Sequence, residues 1–473
     1  MSFTSFAFLF FLPVVFVVYW ILQSHLRLQN LWVVIASYVF YSWWDVRFLL
    51  LIIITSCSSY GSALLISRNP SRRGLILWLN ILLNLGILAC FKYYNFFADS
   101  LHDIGETIGV DFSIPELSII LPVGISFYTF QSLGYVLDVY RGKAKPATDI
   151  IAFLAFVSFF PQLVAGPIER ATSLLPQMLS RRYFNRNEAV DGLRQTLWGF
   201  FKKMVIADSC AMAVNQVWDT WQDATGTMLL MGMLLFTFQI YCDFSGYSDI
   251  AIGVSKLFGI RLCDNFRCPY FSRNMTEFWR RWHISLMTWF RDYVYIPLGG
   301  SHGGKGRTIV NIFVVFLLSG LWHGANWTFV TWGFYHAFLL VLLLLFNRKK
   351  QRYDDPASFR QLPSVLLTLT LVAIGWVIFR SDSVNDGVAY LVRMFSLLPS
   401  VCITDLVMGK VALILCSCLM IVEWLTRYRR YALDFSPTGI FRKPVCRWLL
   451  YYVLLLMIIL MHGDEQMFVY FQF

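Results

Sequence analysis

Two histidines, His283 and His323, stand forty positions apart, each beside a tryptophan, with a long apolar run between them. An imidazole titrates near neutral pH, so a positioned histidine can serve as a general base or acid. An ionisable group at membrane depth is costly, and such a residue is a functional candidate by default. His283 follows Arg280, Arg281 and Trp282 in FWRRWHISLMTWF (278–290), which reads as one helix also carrying Ser285 and Trp289. The paired guanidinium groups suit a phosphate-bearing ligand. A pair snorkelling at a membrane edge fits the local sequence equally well. His323 lies in LSGLWHGANW (318–327), after Trp322 and three residues before Asn326. Small residues on both sides let a backbone or a substrate approach, although a structural histidine bonded to a neighbouring helix fits the same composition.

A second polar run, YCDFSGYSD (241–249), places Tyr241, Asp243, Ser245, Tyr247 and Asp249 at an expected helix end. Side chains this polar either bond neighbouring helices or line a pocket. His336, inside an apolar run, is expected to bond a neighbouring helix. His25, His102, His302 and His462 read as solvated or interfacial. Neither His283 nor His323 has a histidine or carboxylate three or four positions away, so no metal site is expected. There is no GxSxG elbow, phosphate-binding loop or dinucleotide fingerprint.

The elements that must position these residues are apolar helices. The 473-residue chain is 58% hydrophobic and 14% charged, with mean hydropathy +0.60; soluble chains carry about 25% charged residues. Runs at 3–21, 31–42, 48–67, 74–91, 193–212, 226–241, 328–346, 363–379, 409–425 and 447–461 are candidate crossings. The expectation is an all-α polytopic integral membrane protein with about eleven transmembrane helices plus re-entrant segments. It forms one membrane domain over 1–473, with a core at about 117–346. Pro122 and Gly124 break the run at 117–137, while Pro161, Gly166 and Pro167 break the run at 150–168. Such backbone is tolerated where it is buried in protein or lines a cavity. The stretch 92–117 is acid-rich and reads as an outside loop, 387–395 as an amphipathic interfacial helix, and the tail from His462 as an aromatic belt.

The net charge of +11 sits in short clusters such as Arg68/Arg72/Arg73, Arg181/Arg182/Arg186 and Arg348/Lys349/Lys350/Arg352. That is the pattern of cytoplasmic loops, not of a nucleic-acid surface. It places the N-terminus outside, 303–307 and 348–352 inside, and His323 toward the outer end of its helix. The run at 3–20 lacks a basic start and a cleavage site, and reads as a retained helix. Ten scattered cysteines read as reduced, packed thiols. By local signals alone the chain is a membrane enzyme or a transporter with a histidine proton relay, and the absence of half-symmetry counts against the second. A scaffold indifferent to both histidines is the third reading.

WRRWHISLMTWFRDYVYIPLGG followed by LSGLWHGANWTFVTWG resembles the paired-histidine signature of the membrane-bound O-acyltransferases. PVGISFYTFQSLGYVLDVYRG, FFPQLVAGPIER and YCDFSGYSDIAIG are similar to the same family upstream. GWVIFRS, VAYLVRMF and the terminal FVYFQF resemble its bacterial alginate O-acetylase branch. The resemblance covers nearly the whole chain and implies helices whose funnels meet near a catalytic histidine, His323, with His283 as its companion. It implies transfer of an acyl group, most simply acetyl from acetyl-CoA as donor substrate with no bound cofactor, to a hydroxyl across the bilayer. The acceptor would be a cell-surface polysaccharide or an extracytoplasmic acyltransferase partner, and the location a bacterial inner membrane. A D-alanyl transferase fed by a carrier protein shares the histidine motifs.

Overall fold

The computed structural model describes residues 1–110, 114–115, 117, 120–346, 356–397, 406–435, 440–461 and 468–469, without the side chains of 406, 408 and 440. The basic cluster 348–352, Asp111, His462 and most of the aromatic tail lie outside the described residues. Among those described, every regular element is helical. Seven helices are long and apolar enough to cross a membrane: Val46–Arg68, Pro70–Ile108, Gly226–Leu257, Gly304–His323, Trp327–Phe346, Phe359–Arg380 and Gly409–Thr426. Phe6–Ile21 and Pro444–Leu460 are shorter apolar helices. The figure of about eleven also counted the run 193–212, which lies in a continuous helical stretch, 186–219, that is not among the seven.

The burial pattern is that of a protein dissolved in lipid. Phe6, Phe10, Val14 and Ile21 are exposed on the first helix, and Trp448, Leu449, Tyr452 and Leu456 on the last. Polar and charged side chains such as Lys202, Lys203, Asp243 and Glu277 are buried instead. Helices satisfy their own backbone groups, which lets such apolar faces meet hydrocarbon at no hydrogen-bonding cost.

Contacts group the chain into two compact units. The first comprises Met1–Ala189, Ser255–Leu262 and Gly324–Asn326. In it, Pro70–Ile108 is helical throughout, passing through a π-turn at Ala89–Tyr93. The loop expected from residue 92 therefore begins only after Ile108. The acidic residues that suggested a loop (Asp99, Asp103, Glu106) ride on this helix, where amphipathic spacing tolerates them. Gly124, with φ of 76°, starts the helix Ile125–Tyr140. The run 150–168 breaks at Phe159 into Ile150–Ser158 and Phe160–Leu163, with Pro161 in the first turn of the second piece, where its missing N–H costs nothing.

The second unit comprises Val190–Val254, Cys263–His323 and Trp327–Phe473. Gly199 and Gly246 bring two of its helices together: a Cβ at Gly199 would lie 2.6 Å from the Gly246 carbonyl oxygen. A Cβ at Gly320 would lie 2.3 Å from the carbonyl oxygen of Phe329, and one at Gly333 2.3 Å from that of Phe316. The helices Gly304–His323 and Trp327–Phe346 thus pack backbone to backbone, as small residues permit in membranes. Val384–Leu397 is amphipathic as expected, burying Tyr390 and Met394 and exposing Val388, Val392 and Phe395.

Candidate functional site

The site grows from a helix that fails to continue. Asn274 caps Met275–Arg281 by accepting from the Glu277 N–H at 3.0 Å. The buried Glu277 carboxylate takes Arg273 at 2.8 Å and Arg281 at 2.7 Å. The helix ends at Arg281, His283 adopts φ of 44°, and a second helix runs Ile284–Phe290. The expectation of one continuous helix through His283 is therefore corrected. The cause is tertiary: Asn265 accepts from the Ser285 N–H at 3.3 Å and from Ser285 Oγ at 2.9 Å, while its own carbonyl accepts from the Ile284 N–H at 3.0 Å. These bonds compensate a left-handed conformation that a non-glycine residue rarely adopts.

His323 is the last residue of Gly304–His323. Its ring centroid lies 6.4 Å from that of His283, and Trp322 packs on both, at 5.0 Å and 5.6 Å. Trp332 and Phe379 meet His323 edge-on at 5.1 Å and 5.5 Å, and Phe244 meets His283 at 4.7 Å. Trp282, fully buried, packs on Trp376 at 5.0 Å. His283 lies outside the seven spans, and burial pushes its imidazole down to about 3, so it is neutral at physiological pH. Its Nδ1 lies 3.1 Å from Asn265 Oδ1, while Nε2 is buried with no hydrogen-bond partner among the described residues. A buried aromatic cage of this kind strengthens any polar interaction made inside it.

His336 does not make the helix–helix hydrogen bond expected of it. Both its ring nitrogens are buried without a hydrogen-bond partner among the described residues, and its ring instead packs among Trp279, Trp332 and Tyr335. The run 241–249 lies within the 32-residue helix Gly226–Leu257, not at its end. Tyr241 donates to Glu423 at 2.6 Å, Lys203 pairs with Asp243 at 2.9 Å and Asp208 at 2.8 Å, and Lys202 pairs with Asp249 at 2.7 Å and donates to Ser245 at 2.8 Å. Asp243 also accepts from the Val469 N–H at 2.7 Å, and Phe468 packs on Tyr247 at 5.0 Å. These two tail residues are buried, not part of an interfacial belt. Helix-to-helix bonding is what Asp243 does; Tyr241 and Ser245 additionally line a cavity of about 30 Å³, room for a water molecule, beside Lys202 and Asn265.

A larger cavity, about 610 Å³, is lined by Arg267, Arg280, Arg281, Arg427, Arg429 and Arg430, with Asp264 and Glu277 among the remaining walls. Arg281 is committed to Glu277, whereas Arg280 is exposed. The positive lining suits a phosphorylated ligand. Asn326 is half-buried in the three-residue break after His323. Asn265, Lys202, Lys203, Glu423 and the arginines at 427–430 were not among the site residues expected from the sequence. Two lysines inside an apolar run were a usable signal; nothing local marked Asn265.

Among the described residues, no three His, Cys, Asp or Glu side chains converge as a metal site. Cys210 and Cys416 lie 3.5 Å apart as free thiols.

Residues 144–379, which contain both histidines, match the sequence model of MBOAT, the membrane-bound O-acyltransferase family. The chain is 42% identical over 402 residues to the probable alginate O-acetylase AlgI of Pseudomonas syringae pv. tomato, covering 84% of this chain and 75% of the relative. It is 33% identical over 418 residues to the peptidoglycan O-acetyltransferase of Helicobacter pylori, covering 82% and 78%. It is 29% identical over 282 residues to the teichoic acid D-alanyltransferase of Bacillus subtilis, covering 56% and 70%. With this family model over the stretch that holds both histidines, and 42% identity over 84% of the chain to an O-acetylase of the same kind, the chain is a multi-pass membrane O-acyltransferase and belongs to the membrane-bound O-acyltransferase family.

Proposed function

We propose that this enzyme takes acetyl from a cytoplasmic thioester, acetyl-CoA, and passes it across a bacterial inner membrane for O-acetylation of a cell-surface polysaccharide. The immediate acceptor is a hydroxyl of the polymer or of an extracytoplasmic acyltransferase partner. The observation that carries this reading is the pairing of His283 with His323 at 6.4 Å inside an aromatic cage. The arginine-lined cavity, whose wall includes Arg281 two residues before His283, supports a phosphorylated thioester as donor. Coverage favours the alginate branch over the D-alanyl transferases, whose alignment spans only 56% of the chain.

In this mechanism His323 accepts the acceptor's hydroxyl proton as the new C–O bond forms. The thioester C–S bond then breaks, and the thiolate leaves with the proton that His323 returns. Asn326 or a nearby backbone N–H polarises the thioester carbonyl. His283 orients the reactants, and Arg280 and Arg281 draw in the donor's phosphates. Trp282 and Trp322 wall the reacting group, while Tyr241, Asp243 and Ser245 hold the helix behind it.

The test is acyl transfer from radiolabelled acetyl-CoA in proteoliposomes, comparing wild type with His323→Ala at matched, folded expression. Loss of transfer in the variant supports the reading. Full activity without His323 overturns the mechanism, and turnover only with an acylated carrier protein redirects it to the D-alanyl class.

A further inference from the structure

We propose that Asn265 is a positioning residue that sets the tautomer of His283, placing the proton on Nδ1 and leaving Nε2 as a hydrogen-bond acceptor. The geometry stands by itself; its catalytic consequence rests on the acyltransferase reading above.

The backbone N–H of Ser285 can only donate, and the Asn265 atom facing it at 3.3 Å must therefore be the amide oxygen. Ser285 Oγ donates to the same oxygen at 2.9 Å, and the amide nitrogen donates to Ser248 Oγ at 3.2 Å. Turning the amide over would set an NH2 group against the Ser285 N–H and lose that bond. The oxygen so fixed lies 3.1 Å from His283 Nδ1. An oxygen acceptor in that place requires a proton on Nδ1, and a neutral imidazole then carries none on Nε2. This is the opposite of the form an isolated histidine side chain prefers.

The backbone makes the arrangement stiff. Ile284 N donates to the Asn265 carbonyl at 3.0 Å and Arg267 N donates to the Arg281 carbonyl at 3.0 Å, so residues 265–267 are laced to the chain on both sides of His283. The ring is also held by Phe244 at 4.7 Å and by Phe266 stacked at 6.5 Å. An acceptor nitrogen buried without a partner is costly unless something donates to it. During transfer the available donors are the acceptor hydroxyl and a protonated His323. The same tautomer bars His283 from donating to the developing oxyanion, which leaves that role to Asn326 or a backbone N–H. Asn265 thus acts on the chemistry through His283, as outer-shell partners of functional histidines do.

Solid-state NMR of the full-length protein, labelled with ¹⁵N-histidine in lipid nanodiscs, reads the tautomer without any substrate. The His283 signals are assigned by difference with His283→Gln. In wild type the expected result is a neutral ring protonated at Nδ1. Asn265→Leu is expected to release the ring to the Nε2–H form and to lower the transfer rate by on the order of 10²-fold. Asn265→Asp, which keeps an acceptor oxygen, is expected to retain the Nδ1–H signature and most of the rate. A wild-type ring protonated at Nε2 overturns the proposal, as does an unchanged Nδ1–H signature in Asn265→Leu. If Asn265→Leu does not fold, the wild-type and Asn265→Asp spectra decide. Absence of acyl transfer in wild type would sink the proposed function while leaving the tautomer result standing.

Discussion

The rings of His283 and His323 lie 6.4 Å apart at 60°, with Trp322 packed against both. They stand forty positions apart, and the last twenty of those positions form the helix Gly304–His323. A helix of that length carries the chain about 30 Å along its axis. Residues 284–303 must therefore lead away from His283 before the helix returns to it. They do so through a π-turn at Arg291–Tyr295 and two left-handed glycines, Gly299 and Gly300. The helix hairpin then sets where His323 stops.

Replacing His323 by alanine should lower acyl transfer by roughly two to four orders of magnitude, the worth of a general base. The melting temperature should fall only modestly, because Trp332 and Phe379 stay packed on each other and Trp322 on His283. Single-turnover transfer and a thermal scan in the same detergent check both halves.

Arg280→Ala should raise the KM for acetyl-CoA about ten- to a hundredfold, the range of a hydrogen bond to a charged group, with kcat little changed. Arg281→Ala should act differently, because it leaves the buried Glu277 carboxylate with one partner fewer and costs stability as well. The wild-type KM should also climb with ionic strength. Steady-state kinetics with stability measured in parallel separates the two arginines.

Lys203→Met should destabilise the protein by about 3–5 kcal/mol, because the buried Asp243 and the half-buried Asp208 would both lose their cation. Adding Asp243→Leu and Asp208→Leu should return part of that loss. The three variants form a coupling test by chemical unfolding in detergent.

Gly320→Ala should cost about 1–3 kcal/mol, since its Cβ would meet the Phe329 carbonyl oxygen at 2.3 Å and force the hairpin apart. Activity should fall with stability, because the same hairpin ends at His323. Thermal unfolding alongside transfer rates checks this, and Gly306→Ala, where no atom of the described residues lies within 4 Å of the new Cβ, is the control.

Acid should destabilise the wild type partly through His283. Its folded value is held down to about 3 against an ordinary 6.5, so the unfolded chain binds a proton that the folded chain refuses. Stability from this group is whole above pH 6.5 and is lost as the pH falls from 6.5 toward 3. His283→Gln should therefore show a shallower acid limb, by one proton, in stability measured across that window.

The sequence by itself determined that the chain lives in a membrane, because apolar runs without charge can satisfy their backbone only as helices in lipid. It also singled out His283 and His323, through tryptophans, arginines and small residues that a lipid-facing helix does not need. Composition and order along the chain carry those facts. Tertiary structure decided what depends on distant partners. Asn265 stops a helix that local propensity would have run through His283, since hydrogen bonds from eighteen residues away offset a strained backbone. Asp243 looked like a site residue and is committed to Lys203, because Gly199 and Gly246 let two helices approach closely enough to bury the pair. His336 sat in an ordinary apolar run and ended in the aromatic wall without the partner that residue type implies. The arginines at 427–430 join Arg280 around one cavity only after the chain has folded. Periodicity and composition are local quantities, whereas a hydrogen-bond partner or an ion pair is set by packing between segments far apart in sequence.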